Sequence, residues 1–190
     1  GTLTEEGLDV LGVVPVQLDS DGKATSLQPV APLMKMTPSV SQQCRPLVQL
    51  MATCHSIQSI NDALVGDPLD LKMFAFSNWI LEEAADDVNE AIVPVIIRPP
   101  GSESFDLDDA INSSDGSEAD DPITVGAFEE MGVIRCFEFT ATVRRMSVGV
   151  RELESERMMV MTKGSPETIK AICAPPSIPA DYDQTLARYS

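Results

Sequence analysis

The spacing of apolar residues predicts two helices in the first half of the chain. Between Arg45 and Ile60, apolar side chains recur every three or four positions, which is the repeat of an amphipathic helix. The members of this repeat are Leu47, Leu50, Met51, Cys54 and Ile57. A second helix is predicted to start at Pro68, because Asp67 can cap its first turn and proline fits the first helical position. Asp70 lies in that first turn, where the helix dipole favours a negative charge.

The rest of the pattern indicates mainly strands. Three β-like runs near the end of the chain are joined by short polar turns and predict an antiparallel meander. These runs are residues 132–139, 144–152 and 157–163. Residues 92–98 and the run ending at Val16 predict further strands, while Ser165 and residues 179–190 mark two more helices. Helices that alternate loosely with antiparallel strands favour an α+β fold, a twisted and mainly antiparallel sheet flanked by helices.

Two segments lack a regular apolar pattern. Residues 19–43 are rich in proline and predict a turn followed by an irregular loop. Residues 101–121 hold eight acids and no lysine or arginine, a composition that cannot bury enough apolar surface to become ordered. We therefore predict a mobile acidic insertion at 101–121.

The length and charge of the chain narrow the possible partners. The 190 residues fit one domain with a sizeable core. The sequence has 30 acidic and 13 basic residues, so its formal charge is −17, which disfavours binding to nucleic acid or to an anionic membrane surface. The longest apolar run is far shorter than the ~20 residues that a membrane-spanning helix needs.

The cysteines and the single histidine indicate structural roles. No C-x-x-C pair occurs, so the sequence contains neither a zinc motif nor a redox motif. We expect four reduced core cysteines, which suits a cytosolic setting: Cys44, Cys54, Cys136 and Cys173. His55 lies in the apolar helical repeat and is expected to be structural, because no paired nucleophile and acid accompany it. No metal site is predicted.

The first candidate site is the end of the last predicted strand. Lys163 is followed by Gly164, which has no side chain, and then by a helix start at Ser165. A cation, open backbone and unpaired N–H groups would lie side by side, and such a corner can bind an anion. A plain turn from strand to helix has the same sequence signature, so this motif alone leaves both interpretations open.

The neighbouring hairpin adds an aromatic residue and cations. Phe139 precedes Arg144, Arg145 and Met146 on this element, so an aromatic face, a cation and a soft apolar side chain could line one cleft. Stacking on an aromatic ring suits a purine base. The alternative is that Phe139 and Met146 are core residues.

Five short motifs occur in the order found in a known family. They are "GTLTE", "CHSI", "GDPLDLKMF", "FEFTATVRRMSV" and "KGSPE". In this order they resemble the cytosolic nucleotide-binding domain of P-type ATPases. The residues of these motifs are most similar to those of the type-5 subfamily, and within it to those of the B group, which is associated with polyamine export from late endosomes, lysosomes or vacuoles. The resemblance covers the chain except for the loops at 19–43 and 101–121.

The resemblance implies roles for individual residues. Phe139 looks like the aromatic that stacks on adenine, Lys163 like the lysine at the pocket mouth, and Met146 like an apolar wall. Arg144 stands where the family often has a lysine near the phosphates. Asp70 stands where related pumps often have a glutamate facing the adenine, although it is equally well explained as a helix-start residue.

Two small residues complete the implied site. Gly164 and Ser165 look like the small residues behind the pocket lysine. The resemblance implies no catalytic residue in this chain, because the family's phosphorylated aspartate precedes the first residue. The family's magnesium-binding acids and its last nucleotide-binding segment would follow Ser190. We therefore expect ATP binding without turnover, with Mg²⁺ needed only in the full-length pump.

The implied organisation is that of one module in a larger pump. Residues 1–16 would be a hinge segment after the phosphorylation motif together with a first strand, and residues 17–190 the nucleotide-binding domain. The expected partners are ATP and the phosphorylation and actuator domains of the same polypeptide, with no direct membrane contact and a monomeric state. The expected location is the cytosolic side of a multi-pass endomembrane protein. The alternative is a regulatory or interaction domain that has lost nucleotide binding.

Overall fold

The structure is a computed structural model that describes residues 10–27, 31–32, 44–61, 63–83, 95–99 and 130–189. The predicted acidic insertion at 101–121 lies outside these residues. The helices within the described residues are α1 (Arg45–Thr53), α2 (Pro68–Ser77), α3 (Pro166–Ile172) and α4 (Tyr182–Tyr189), and Pro175–Ser177 form a 3-10 turn. The strands are β1 (Gly12–Val13), β2 (Val16–Leu18), β3 (Ala24–Leu27), β4 (Ala31–Pro32), β5 (Gln58–Ile60), β6 (Ala63–Val65), β7 (Ile80–Glu83), β8 (Val95–Arg98), β9 (Met131–Thr140), β10 (Arg145–Glu152) and β11 (Met158–Gly164).

The main sheet has five strands in the order β11-β10-β9-β8-β7, and every neighbouring pair is antiparallel. The meander predicted in the last third is confirmed as β9, β10 and β11. Two-stranded ladders (β1-β4, β2-β3 and β5-β6) accompany this sheet. The α+β fold class predicted from the sequence is confirmed.

The core lies between the main sheet and α1. Alternate residues of β10 are buried, as expected for a strand whose side chains point to opposite faces of the sheet. Met146, Val148 and Val150 belong to one buried cluster with Val48 and Met51 of α1. Burial of these apolar side chains holds the helix on the sheet, at about 25 cal/mol for each Å² removed from water.

Helix α2 starts as its sequence predicts. The Asp67 side chain accepts a hydrogen bond from the Leu69 N–H at 2.9 Å, and Pro68 occupies the first turn. The helix ends at Ser77, and the C-cap residue Asn78 has a φ of 58°, in the left-handed region that commonly terminates helices.

The predicted extension of α1 to Ile60 is wrong. The helix ends at Thr53, and residues 58–60 form β5, which pairs with β6. Asn61 has a φ of 52° at the turn between these strands, a conformation that asparagine tolerates better than most residues. The hairpin therefore competes successfully with the helical apolar repeat.

The prediction of an irregular loop over residues 19–43 is also wrong in part. Residues 24–27 form β3, which pairs with β2. The turn between them is closed by Asp19, whose Oδ1 accepts the N–H groups of Asp21 and Lys23 at 3.0 and 2.9 Å. Gly22 supplies the positive φ of 76° that this turn requires. Residues 33–43 lie outside the described part of the chain.

The cysteines are all free, but only two lie in the core. Cys44 and Cys54 are buried, whereas Cys136 is exposed and Cys173 is half-buried. The expectation of four core cysteines is therefore wrong for the last two. Across the described residues, no helix is long and apolar enough to cross a membrane.

Candidate functional site

Three predicted site residues lie in one row across the meander. Lys163 on β11 is the cross-strand partner of Met146 on β10. On the other side of β10, the pairing with β9 shifts by one residue, so that Glu138 and Phe139 both lie opposite Met146. This β-bulge places Phe139, Met146 and Lys163 side by side at the end of the sheet where α3 begins.

Phe139 and Met146 differ sharply in exposure. Met146 is 3% exposed and belongs to the core, as one of the two interpretations of the sequence proposed. Phe139 is 60% exposed, which excludes a core role for it. An aromatic ring beside a buried apolar residue can present a face to a planar ligand.

Lys163 and Asp70 form an ion pair between β11 and α2, through Lys163 Nζ and Asp70 Oδ1. The Asp70 residue is 7% exposed, and 21% of the Lys163 side chain is exposed. Asp70 lies in the first turn of α2, as expected for a helix-start residue, and in addition binds Lys163. No local pattern in the sequence indicates this pairing, because the two residues are 93 positions apart.

His55 is buried and is held as a neutral ring. Its Nδ1 accepts the Ile57 N–H at 3.2 Å, which assigns the remaining proton to Nε2. That Nε2 then donates to the Ala52 carbonyl oxygen at 2.8 Å, near the end of α1. Burial lowers the pKa of His55 below its ordinary value, in agreement with the neutral form. The structural role expected for His55 agrees with these contacts.

Two further contacts connect His55 and its neighbour to the ion pair. The His55 ring meets Phe74 of α2 edge-on, with 5.1 Å between ring centroids. The neighbouring Cys54 is buried, and burial raises its pKa to about 11, although the charge of Lys163 opposes this rise. The charges of Asp70 and Lys163 influence the pKa values of both Cys54 and His55.

Gly164 is fixed by the turn that precedes β10. A Cβ atom at Gly164 would lie 2.7 Å from the Arg144 carbonyl oxygen and 2.8 Å from the Arg145 Cβ. Arg144 itself has a φ of 49°, and its carbonyl oxygen accepts the Ser165 N–H at 3.1 Å. Only glycine allows the strand end and the turn to approach this closely.

Ser165 acts as the N-cap of α3. Its Oγ accepts the Thr168 N–H at 3.4 Å and lies 2.9 Å from the Thr168 Oγ1. This geometry supports the predicted turn from strand to helix. Ser165 therefore has a structural explanation that is independent of any ligand.

Two arginines lie where the turn between β9 and β10 meets β10: Arg144 is the last residue of the turn and Arg145 the first of the strand. Among the described acids, none forms an ion pair with either of them. Lys163, by contrast, is already paired. In the described part of the chain, no group of histidines, cysteines or acids could hold a metal ion.

All seven residues singled out in the sequence lie around one end of the main sheet. Phe139, Met146 and Lys163 form the row, Asp70 binds Lys163, and the other three surround the adjoining turn. The last three are Arg144, Gly164 and Ser165. The arrangement provides an exposed aromatic face and cations within one region of the surface.

Comparison with curated proteins gives whole-chain similarity to transport ATPases. The chain is 36% identical over 193 residues to polyamine-transporting ATPase 13A3 of Homo sapiens, matching 100% of this chain and 15% of that protein. It is 34% identical over 196 residues to human polyamine-transporting ATPase 13A2. It is also 34% identical over 216 residues to the vacuolar cation-transporting ATPase YPK9 of Saccharomyces cerevisiae. The last two matches cover 100% of this chain and 14% of each relative. No protein-family model matches the chain.

Proposed function

Because the chain is homologous over its whole length to one segment of the type-5 P-type ATPases, the 13A polyamine-transporting pumps, we propose that it is the ATP-binding domain of such a pump. The family resemblance noted in the sequence is thereby confirmed. The chain spans about 15% of the length of these relatives. The activity proposed for the whole pump therefore depends on residues outside this chain.

The observation that carries the proposal is the exposure of Phe139. A phenylalanine that is 60% exposed at a β-bulge has no packing role that explains it. In the same row across the sheet lie the buried Met146 on β10 and Lys163 on β11. We propose that adenine stacks on Phe139 over Met146, with Lys163 at the mouth of the pocket. Stacking of a base on an aromatic ring contributes ~1–3 kcal/mol in other systems.

The phosphates would extend toward the turn that holds Arg144. An unpaired guanidinium binds phosphate oxygens in a planar, two-pronged geometry. Gly164 lets the end of β11 pack closely against Arg144 and Arg145, while Ser165 fixes the start of α3. Asp70 binds Lys163 and would be linked to the nucleotide through that lysine.

In the whole pump, this domain would hold ATP by its adenine and present the γ-phosphate to an aspartate in a neighbouring domain. Catalysis would then consist of positioning, with Mg²⁺ and cations neutralising charge in the phosphoryl-transfer step. We propose that this step powers transport of a polyamine or another cation across an endomembrane of the lysosomal, vacuolar or late endosomal system. The phosphorylation and actuator domains of the same polypeptide would be its partners.

The proposal is tested by comparing two phenylalanines on one strand. Phe137 is 49% exposed, close to the value for Phe139, but it pairs with Ser147 and therefore lies on the other face of the sheet. We expect Phe139→Ala to weaken ATP binding roughly 5- to 150-fold, from the stacking energy, while Phe137→Ala leaves it unchanged. Isothermal titration calorimetry with ATP and adenosine measures both effects.

The outcomes separate the proposal from its rival. Equal weakening of ATP and adenosine binding in Phe139→Ala supports a contact with the base alone. If neither variant changes the affinity, or if the wild-type domain binds no ATP, the rival interpretation as a regulatory or interaction domain is favoured. Melting temperatures of both variants check that the fold is intact, since an exposed side chain contributes little to the core.

A further inference from the structure

The ion pair between Lys163 and Asp70 is built into the fold. Asp70 is carried by the first turn of α2, whose start is fixed by Asp67 and Pro68. Lys163 is carried by β11, directly opposite Met146 of the core. Because both backbones are anchored independently, the contact joins a helix to a strand rather than two free side chains.

This pairing changes the charge that a ligand would meet. A lysine whose ammonium group is bound to a carboxylate presents a dipole instead of a full positive charge. Asp70 is nearly buried, so water screens the pair less than it screens a surface contact. Two described residues that interact electrostatically with this pair, the neutral His55 ring and the Cys54 thiol, add no charge to it.

The geometry points to Asp70 as a positioning residue that holds Lys163 on the base side of the site and keeps its charge from the phosphates. This inference rests on the proposed ATP site. Affinity for the phosphates would then come mainly from Arg144, which forms no ion pair with the described acids. Asp70 would thus limit how strongly the site prefers ATP over adenosine.

The same geometry affects how variants of Lys163 must be interpreted. Removing Lys163 alone leaves a nearly buried carboxylate without its partner, which is costly in itself and also repels phosphate. A loss of ATP affinity in Lys163→Met would therefore combine the loss of a cation with the presence of an unpaired carboxylate. Only the double variant Asp70→Asn with Lys163→Met removes the pair without leaving a charge behind.

The test measures the dissociation constants of ATP and adenosine for wild type, Asp70→Asn, Lys163→Met and the double variant. We expect Asp70→Asn to bind ATP about three- to tenfold more tightly at low salt, because the freed ammonium group reaches the phosphates. Adenosine binding should change by less than about twofold, and the gain for ATP should shrink as salt rises. The double variant should bind ATP more tightly than Lys163→Met alone.

Asp183→Asn is the matched control. Asp183 also accepts from a lysine, at 2.5 Å from the Lys170 Nζ, but this pair lies on the exposed surface between α3 and α4. Its removal should leave the ratio of the two affinities unchanged. If Asp183→Asn tightened ATP binding as much as Asp70→Asn does, the effect of Asp70 would be explained by net charge alone, and the inference would be overturned.

The single histidine provides a readout that needs no nucleotide. The charge of Asp70 raises the pKa of His55 and that of Lys163 lowers it. An NMR titration of His55 should therefore give a higher pKa in Lys163→Met than in wild type. An unchanged His55 pKa, or an unchanged affinity ratio in Asp70→Asn while ATP still binds, overturns the positioning role. If the wild-type domain binds neither ligand, the proposed function fails and this inference fails with it.

Discussion

Replacement of Glu152 by glutamine should destabilise the domain and alter its response to acid. Glu152 is 2% exposed at the end of β10, opposite to the end where Met146 and Lys163 lie. Its carboxylate accepts hydrogen bonds from Arg157 Nε and Nη2 at 2.9 and 3.0 Å. It also accepts from Ser155 Oγ at 3.0 Å and Gln49 Nε2 at 3.1 Å. The carboxylate thus connects α1 to the turn between β10 and β11.

The expected cost follows from these contacts. Hydrogen bonds to a charged group contribute ~1.5–3 kcal/mol each, but they are not additive within a network. The Arg157 side chain is 59% exposed, so its share is screened by solvent. In Glu152→Gln, the new amide group would face donors of Arg157 or Gln49. We therefore expect a loss of about 2–3 kcal/mol, or roughly 4–12 °C in melting temperature for a domain of this size.

The pH dependence provides a second and sharper test. Burial alone would raise the pKa of Glu152, but hydrogen bonds from Arg157, Gln49 and Ser155 outweigh burial and lower the pKa below its ordinary value of 4.5. A lowered pKa in the folded state contributes stability above the unfolded value, and this stability is lost as the pH falls through the folded value. The difference between wild type and Glu152→Gln should therefore be full at pH 7 and shrink below about pH 4.5.

The assay is urea unfolding followed by circular dichroism at several pH values between 7 and 3. Glu156→Gln is the control, because the Glu156 side chain is 72% exposed and forms a surface pair with Arg151 at 2.7 Å. This variant should lose less than about 1 kcal/mol at any pH. A stability difference for Glu152→Gln that stays constant from pH 7 to pH 3, or that equals the control, would refute the reasoning.

Three further predictions concern single residues. Gly164→Ala should lower the stability of the domain by ~1–3 kcal/mol, since the new Cβ would lie 2.7 Å from a backbone oxygen. Gly149→Ala should not lower it, because the nearest atom would lie 3.9 Å from the new Cβ, and thermal melts of the two variants test this difference. In an NMR titration, His55 should have a pKa below its ordinary value of 6.5. The stability of the domain should fall as the pH drops below 6.5, because His55 then binds a proton more readily in the unfolded chain than in the folded one. A measured pKa at or above 6.5 argues against the buried neutral ring. Cys136 should react with a thiol reagent in the folded protein and Cys54 only after unfolding, and rapid reaction of both would contradict their different burial.

The elements that the sequence predicted well are those with local signals. Asp67 and Pro68 start α2 through contacts within three residues, and the short polar turns of the meander join strands that are neighbours in sequence. The overlong α1 shows the limit of such signals. Its apolar repeat continues past Thr53, but the hairpin of β5 and β6 and the side-chain contacts of His55 end the helix.

The site was predictable in composition but not in geometry. Phe139, Lys163 and Gly164 were identified by their order in family motifs, and they lie around one end of the sheet. The β-bulge shifts the pairing of β9 against β10, so alternation along the strand did not indicate whether Phe139 was core or surface. The contact between Asp70 and Lys163 spans 93 residues and depends on how α2 packs, which no local pattern encodes.

The central claim is that ATP binds at the end of the main sheet where Phe139, Lys163 and Gly164 lie. The most direct measurement is an amide NMR titration of the isotope-labelled domain with ATP, with residues assigned on the meander and α2. We expect chemical-shift changes that cluster at these three residues, without any phosphate release. Spectra that do not change at millimolar ATP, or changes that cluster at the opposite end around Glu152, would contradict it.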